Sequence, residues 1–277
     1  MTISWRPLTG ADGAALAGLA ARVLAVDGGH PMAGTESYLG SRFLSGPSQA
    51  AFAGDRLVAV AGRREAAVAT GLVDPDWRTR GLGSSLVDWA LTAGTTRWET
   101  EGLTDDAEAL FASRGLRRFF AEDVMAYDLT AGAPLDMADA ELREWAPELE
   151  ERFFRTYSAS FHDRPGFPGW SQEQWVEWIT DDDDFAPEWT LLATKDGVDV
   201  GFVACGRGAW LDQIGVVPAH RGAGLGTALT AEVLRRMRAA GETVCHLDVN
   251  TNNPTARRVY ERTGFTRVGR RARFEPA

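Results

Sequence analysis

The stretch "RGAGLGTAL", Arg221–Leu229, begins three residues after Pro218. A closely similar stretch, "RTRGLGSSL" at Arg78–Leu86, begins three residues after Pro75. In each copy an apolar run precedes the proline, and an arginine leads into Gly-x-Gly at the predicted start of a helix. The repetition at equivalent places indicates that the chain contains a duplicated domain.

The glycines of this stretch predict a site for an anion. The start of a helix has unpaired N–H groups and a partial positive charge, and glycines let a ligand approach the backbone closely. A Walker A loop would need a lysine after Gly226, where Thr227 stands, and the dinucleotide fingerprint lacks its third glycine. The pattern Q/R-x-x-G-x-G/A fits both copies, so we expect a phosphate or pyrophosphate ligand.

The composition limits the class of protein. The chain has 277 residues, enough for two domains, and its 44% hydrophobic content is that of a globular protein. Its net charge of −10 argues against a nucleic-acid partner. No apolar run is long enough for a membrane span and no secretory signal is visible, so a cytoplasmic protein without a membrane partner is expected. The two cysteines and four histidines show no metal-ligand spacing, and no metal is expected.

The order of predicted elements repeats on either side of the stretch 130–138, a plausible linker. We predict a first domain at 1–132 and a second at 138–277. In the first, we expect a strand at 3–8, a helix after Thr9, a hairpin at Gly54-Asp55, a strand before Pro75, a helix from Gly81, a strand at 97–100, a helix at 105–115 and strands to 129. In the second, we expect a strand at 140–145, helices at 147–162 and from Ser171, a hairpin at Asp196-Gly197, a strand before Pro218, a helix at 224–241, a strand at 243–249, a helix at 253–264 and a strand at 267–274.

A second motif follows the glycines: Asn253-x-x-Ala256-x-x-x-Tyr260-x-x-x-Gly264-Phe265. With both motifs in order, the chain resembles the GCN5-related N-acetyltransferase (GNAT) superfamily, strongly over 140–277 and more loosely over 1–130. Its organisation is similar to that of the tandem-GNAT proteins of actinobacteria, a group that includes mycothiol synthase. The resemblance implies an α/β fold of two tandem GNAT domains, each a mixed, mostly antiparallel sheet flanked by helices, with splayed central strands.

The resemblance implies an acyltransferase that uses acetyl-CoA as co-substrate. The glycine loop would hold the pyrophosphate, Asn253 would touch the pantetheine arm, and Tyr260 would act as general acid on the departing thiolate. The backbone N–H of Val216 would stabilise the oxyanion, with Ile214 and Gly215 beside it. The expected cofactor-binding residues are Ile214, Gly215, Val216, Arg221, Gly222, Ala223, Gly224, Leu225, Gly226, Thr227, Asn253 and Tyr260.

Acyl transfer to an amine also needs a base, because only the neutral amine attacks. Asp212, four residues before Val216, is the candidate, and by spacing Ala69 stands at its place in the first half. Asp248 is another candidate, and Gln213 is expected to be able to orient the substrate.

The first half lacks the residues for the chemical step. When the second motifs are aligned, Tyr260 matches Phe111, which has no proton to donate, and Asn253 matches Thr104. We therefore expect a catalytically silent first domain. Its glycine loop is a possible second CoA site, with Val73, Arg78, Gly81 and Gly83.

The sequence contains fewer signals for the acceptor than for the acyl donor. A segment with four tryptophans (Trp170, Trp175, Trp178 and Trp189) and the run Asp181–Asp184 would suit an amine, although packing in the core is the favoured interpretation for the tryptophans. The basic tail from Arg267 either pairs with that acidic run or meets the adenosine 3′-phosphate. We expect N-acetylation of a small-molecule primary amine by a monomer or homodimer. The alternatives are a non-catalytic CoA-binding regulatory module and a peptide or protein N-acetyltransferase.

Overall fold

The computed structural model describes residues 2–64, 67–132, 139–164, 167–180 and 184–277. The chain forms two compact units. Unit 1 comprises Met1–Val124 together with Arg267–Ala277, and unit 2 comprises Met125–Thr266. Most of the predicted linker 130–138, and all but the last residue of the run Asp181–Asp184, lie outside the described residues. In the described chain, no helix is long and apolar enough to cross a membrane.

The described residues of unit 1 form four α-helices and seven strands, and two of these strands extend beyond the limits of the unit. The helices are α1 (Gly13–Asp27), α2 (Glu36–Leu39), α3 (Leu82–Thr92) and α4 (Asp105–Ser113). The strands are β1 (Ile3–Arg6), β2 (Ser48–Ala53), β3 (Arg56–Arg64), β4 (Val68–Val73), β5 (Arg97–Thr100), β6 (Leu116–Asp128), which enters unit 2 at Met125, and the chain's last strand, β12 (Thr266–Pro276).

Unit 2 repeats this order of elements. The helices are α5 (Glu150–Phe161), α6 (Gln172–Thr180), α7 (Leu225–Ala239) and α8 (Pro254–Thr263). The strands are β7 (Glu141–Glu144), β8 (Leu191–Lys195), β9 (Val198–Gly206), β10 (Trp210–Val216) and β11 (Val244–Asn250). The predicted order of strands and helices is therefore confirmed in both halves.

Each unit has a mixed sheet that is mostly antiparallel. The strand order is β1-β2-β3-β4-β5-β12-β6 in unit 1 and β11-β10-β9-β8-β7 in unit 2. Among the pairings of the described residues, one parallel pair is found in each unit, β4 with β5 and β10 with β11, and each pair is short. β10 and β11 pair only at Trp210↔His246 and Leu211↔Leu247, although both strands continue beyond these residues. The central strands are thus splayed, as expected.

Helices cover both faces of each sheet. In unit 2, α5 and α6 pack on one face through a cluster that includes Phe153, Tyr157 and Trp175. On the other face, α7 and α8 pack through a cluster that includes Leu229 and Tyr260. The same layers form in unit 1, with α1 and α2 on one face and α3 and α4 on the other. We call the α5/α6 side of unit 2 the acceptor face.

Short-range signals in the sequence are confirmed. The Ser171 hydroxyl accepts the N–H of Gln174 at 3.2 Å, and the Gln174 side chain accepts the N–H of Ser171 at 3.0 Å, which is a capping box at the start of α6. Asp196 and Gly197 have φ values of 51° and 78°, as a two-residue hairpin turn between β8 and β9 requires.

The basic tail belongs to unit 1. β12 pairs with β5 through Ala272↔Thr100 and Phe274↔Trp98. Its Arg270 donates to Asp123 at 2.7 Å, and Arg273 lies 3.6 Å from Glu99. The prediction that the tail pairs with the acidic run or meets a phosphate was therefore wrong for these arginines. The division at 132 and 138 stays a prediction about the two sequence repeats, because the compact units divide the chain at other residues.

Candidate active site

The glycine loop of unit 2 has the backbone that only glycine adopts readily. Gly222 and Gly224 have φ values of 82° and 84°, and Gly224 is the residue before the first turn of α7. A Cβ at either position would meet no atom of the chain within 4 Å. The positive φ values therefore explain these glycines, and the space in front of them is open to a ligand.

The amides that follow have no partner in the protein. Among the described residues, no hydrogen-bond acceptor is found for the backbone N–H groups of residues 222–227. A cavity of about 420 Å³ lies beside this loop, with Ala223, Gly224 and Thr227 in its wall. Unpaired amides at the start of a 15-residue helix, facing open space, fit a phosphate or pyrophosphate group.

Arg221 has a structural partner. Its guanidinium donates to the carbonyl of Ser160 at 2.8 Å and to Asp163 at 3.1 Å, both at the end of α5. Its Nε donates to the Val216 carbonyl at 3.1 Å. Arg78 in unit 1 makes the equivalent contacts, with Asp27 at the end of α1 at 2.8 Å and with the Val73 carbonyl at 3.4 Å. The repeated arginine therefore ties the glycine loop to the strand and helix behind it.

A gap opens between β10 and β11 beyond Leu211. The N–H of Val217 donates to Val200 on β9 at 3.0 Å. Because N–H directions alternate along a strand, the N–H of Val216 faces the opposite side, toward the gap. The Val216 carbonyl already accepts a hydrogen bond from Arg221, so the group that Val216 presents to a ligand in the gap is its N–H donor. This is the position expected of the oxyanion donor.

Gly215, between Ile214 and Val216, allows close packing on the acceptor face. A Cβ there would lie 2.6 Å from the Phe202 ring and 2.8 Å from Ser160. The chain itself therefore requires glycine at this position.

Asp212 lies in a β-bulge. The pairing of β10 with β9 skips Asp212, since Leu211 pairs with Cys205 and Gln213 with Ala204. The pairing of β4 with β3 in unit 1 runs without interruption. When the two strands are aligned by their pairing rather than by counting residues, Ala69 corresponds to Leu211, and Asp212 has no counterpart in unit 1. The prediction that Ala69 stands at the place of Asp212 was wrong, because spacing in the sequence does not reveal a bulge.

The surroundings of Asp212 favour its protonated form. The residue is exposed at the surface, yet its carboxylate lies against β9, where Oδ2 is 3.3 Å from the place that a Cβ of Gly206 would take and is partly shielded from water. This burial, together with the nearby carboxylates of Asp184 and then Asp248, raises the pKa of Asp212 to about 7. A carboxyl group that titrates near neutral pH suits a general base.

Tyr260 lies on α8 against the core. Its ring packs edge-on to Phe265 with centroids 5.8 Å apart. Burial raises the pKa of the phenol above its ordinary value, although the charge of Arg164 acts in the other direction. The hydroxyl has no hydrogen-bond partner among the described residues. Tyr260 therefore stays protonated near neutral pH and has a proton to donate.

Asn253 caps α8. Its Oδ1 accepts the N–H of Ala256 at 3.1 Å, so the oxygen end of the amide is occupied. The Nδ2 group has no acceptor among the described residues and is available to a ligand. In unit 1, the Thr104 hydroxyl accepts the N–H of Ala107 at 3.2 Å and makes the same cap, but threonine has no amide NH2 group, and its one donor is the O–H of the capping oxygen itself.

Unit 1 has a glycine loop but lacks side chains equivalent to Tyr260 and Asp212. Phe111 stands at the position of Tyr260 and packs against Trp98, with centroids 5.3 Å apart. A cavity of about 510 Å³ lies in unit 1, and Val73, Gly81 and Gly83 are in its wall. The larger of these two cavities is therefore in the unit without Tyr260 or Asp212.

Other predicted features have structural roles or stay unassigned. Trp175 and Trp189 are buried in the core, as favoured, whereas Trp178 is 49% exposed and packs against Trp170. His246 stacks on Trp210 with centroids 5.5 Å apart, and burial lowers its pKa. Within the described chain, no group of His, Cys, Asp and Glu side chains is arranged to hold a metal ion.

Sequence reasoning missed Lys195. It lies at the end of β8 in the wall of the cavity beside the glycine loop, where it pairs with Asp139 at 2.7 Å. A lysine at this place suits an anionic ligand. The hairpin turn at Asp196-Gly197 is predictable from the sequence, but the position of Lys195 in the same cavity wall as the loop at 222–227 is not.

Known proteins with similar sequences belong to one family of acetyltransferases. The family model "Acetyltransferase (GNAT) family" matches residues 142–265. A mycothiol acetyltransferase of Thermobispora bispora is 31% identical over 94% of each chain, and one of Gordonia bronchialis is 32% identical over 73% of this chain and 71% of its own.

Solved structures show the same fold over the whole chain. A GCN5-related N-acetyltransferase from Sphaerobacter thermophilus has a TM-score of 0.72 and 26% identity, covering 98% of this chain and 94% of its own. A tandem GNAT protein from the clavulanic acid biosynthesis pathway has a TM-score of 0.59 at 19% identity, covering 100% and 99% of the two chains. This chain is therefore an acyltransferase of the GNAT family, a tandem-GNAT protein of the mycothiol-synthase type.

Proposed function

We propose that the protein transfers an acetyl group from acetyl-CoA to the primary amine of a small molecule, by direct attack of the amine on the thioester. The observation that carries this proposal is the gap between β10 and β11 beside a row of unpaired amides at residues 222–227. The gap admits an extended thiol-bearing arm, and the amides hold its diphosphate. Acetyl-CoA, when bound, supplies the activated acyl group.

The residues of unit 2 have separate tasks in this reaction. The Asp212 carboxylate accepts the proton of the incoming ammonium, so that the neutral amine attacks. The N–H of Val216 stabilises the oxyanion as the new C–N bond forms. As the C–S bond breaks, the Tyr260 hydroxyl donates its proton to the thiolate, and the proton that the acylated nitrogen then loses restores the Tyr260 hydroxyl. Asn253, through Nδ2, binds the pantetheine arm, and Lys195 assists the binding of phosphate.

Unit 1 serves as a silent partner in this proposal. Its glycine loop, with Val73, Arg78, Gly81 and Gly83, is a possible second CoA site, whereas Phe111 has no proton to donate and the bulge that contains Asp212 is absent. The reactive centre is therefore assigned to the repeat at 138–277 and the supporting role to the repeat at 1–132.

The groups that bind acetyl-CoA do not determine which amine accepts the acetyl group, so the acceptor is argued from other residues. The carboxylates of Asp184 and Asp248 act electrostatically on Asp212, and this local negative charge supports a cationic acceptor. The name of the curated relatives, mycothiol acetyltransferase, supports a small molecule rather than a peptide.

The test is an assay of thiol release from acetyl-CoA with panels of small amines and of peptides. We expect turnover with small amines. Turnover with peptides alone would indicate a peptide N-acetyltransferase. Binding of CoA in calorimetry without any thiol release would indicate a regulatory module instead.

A further inference from the structure

A buried indole fixes the orientation of Gln213. The Nε1 of Trp175 donates to the Gln213 Oε1 at 3.1 Å. Trp175 is fully buried, and its ring stacks on Tyr157 with centroids 4.9 Å apart and an angle of 19° between the planes. Phe202 packs against the same ring from the sheet. The indole therefore cannot turn away from Gln213.

This hydrogen bond determines which end of the amide faces the solvent. An indole nitrogen only donates, so the oxygen of Gln213 must face Trp175. The Nε2 group then points away from Trp175, and it has no acceptor among the described residues. Gln213 is partly exposed, so its two N–H donors are available to a ligand on the acceptor face.

The bulge places Asp212 on the same face. Successive side chains of a strand normally point to opposite faces, but a bulge interrupts the alternation. Gln213 faces α6, since it bonds to Trp175. Leu211 and Ile214, on either side of this pair, pack into the core on the α7/α8 face, so Asp212 points to the same face as Gln213. A carboxylate and an amide donor therefore stand side by side on the acceptor face.

We propose that Asp212 and Gln213 together select an amine that has a hydrogen-bond-accepting oxygen close to its nitrogen, such as an amino alcohol, an amino sugar or an α-amino amide. The amine is bound at Asp212 and the oxygen accepts from Gln213 Nε2. Gln213 is then a specificity-determining residue, and Trp175 is the positioning residue that orients it. This inference rests on the proposed function.

The experiment compares matched pairs of amines with and without the oxygen: ethanolamine with propylamine, and glucosamine with cyclohexylamine. Rates are expressed per neutral amine. For the wild-type protein we expect kcat/KM to favour the oxygen-containing amine by about tenfold or more, as expected where a polar group of the site would otherwise stay unpaired. In Gln213→Leu we expect the preference to fall to about twofold or less.

A second pair of variants separates orientation from folding. Trp175→Phe keeps an aromatic ring but loses the N–H, so we expect a higher KM for the oxygen-containing amine with an unchanged kcat and an unchanged KM for propylamine. Trp178→Phe is the matched control, because Trp178 is on the same helix and exposed, and it should change none of these constants. If Gln213→Leu fails to fold, the double variant Trp175→Phe/Gln213→Leu removes both polar partners and is the alternative.

The outcomes distinguish the two proposals. A wild-type protein that acetylates both members of each pair equally would overturn this inference and leave the proposed function intact. A protein that releases no thiol with any amine would overturn the proposed function as well. Equal behaviour of Trp175→Phe and Trp178→Phe would show that the indole N–H does not orient Gln213.

Discussion

Phe111 occupies in α4 the position that Tyr260 occupies in α8. Each is the seventh residue after the side chain that caps its helix, Thr104 or Asn253. Both rings are buried, with exposed fractions of 4% and 6%, and both pack on another aromatic ring. The two residues therefore differ chiefly in one hydroxyl group, which makes them a natural pair for testing where the chemical step occurs.

Replacement of Tyr260 by Phe should remove the proton donor and little else. We expect kcat to fall by about 100-fold or more, in line with the usual contribution of a general acid, with a nearly unchanged KM for acetyl-CoA. Steady-state assays of thiol release measure both constants.

Phe111→Leu is the matched control in unit 1. It removes ring contacts with Trp98 and Phe274 and so should lower the free energy of unfolding, by about 1 kcal/mol. The activity of the folded protein should stay close to that of the wild type. A large loss of kcat in Phe111→Leu, with Tyr260→Phe fully active, would assign the chemistry to unit 1.

The raised pKa of Asp212 predicts a pH dependence of the reaction. A base must be deprotonated to accept a proton, so kcat should rise with pH and level off above the pKa of about 7. Asp212→Asn should have a low kcat and should lack this inflection. An inflection near pH 7 that persists in Asp212→Asn would contradict the assignment.

The same shift predicts an effect on stability. The pKa of Asp212 is higher in the folded chain than the ordinary value of 3.8, so the folded state binds the proton more tightly than the unfolded state. Stability from this group is fully present below about pH 4 and is lost as the pH rises toward 7. Compared with the wild type, Asp212→Asn should therefore gain stability over this range, as measured by urea unfolding at several pH values.

The glycine loops offer another matched pair. Gly224→Ala places a side chain at φ 84°, and Gly81→Ala places one at φ 80°, in both cases without a clash within the chain. Each should cost about 1–2 kcal/mol of backbone strain. Only Gly224→Ala should also raise the KM for acetyl-CoA strongly, because its Cβ enters the space in front of the amides at 222–227. Equal effects of both substitutions on turnover would contradict a silent unit 1.

Sequence reasoning succeeded where the signal is local. The caps, the hairpin turns and the two glycine loops depend on residues a few positions apart, so they can be predicted from short sequence patterns. The sequence also places the arginine and the next helix cap six residues closer together in the first half, and the structure has the corresponding shorter helix, with 11 residues in α3 and 15 in α7.

Features that depend on distant parts of the chain could not be predicted. The bulge at Asp212 is defined by pairing with β9, and the partner of Arg221 lies on α5. The last strand belongs to the second sequence repeat but pairs with β5 of the first repeat, and its composition does not indicate this partner. In each case the energy comes from contacts between segments that are remote in sequence, and composition alone does not reveal which segments meet.

Asn253 combines two tasks that substitution can separate. Asn253→Asp keeps an oxygen to accept the N–H of Ala256 but loses the Nδ2 donor, so it should keep the stability of the wild type and raise the KM for acetyl-CoA. Asn253→Ala loses both, and should also lower the free energy of unfolding by about 1 kcal/mol. Thr104→Ala removes the equivalent cap in unit 1 and should reduce stability without changing the KM. If Asn253→Asp binds acetyl-CoA as the wild type does, then the amide nitrogen is not a ligand-binding group and Asn253 acts only as a cap.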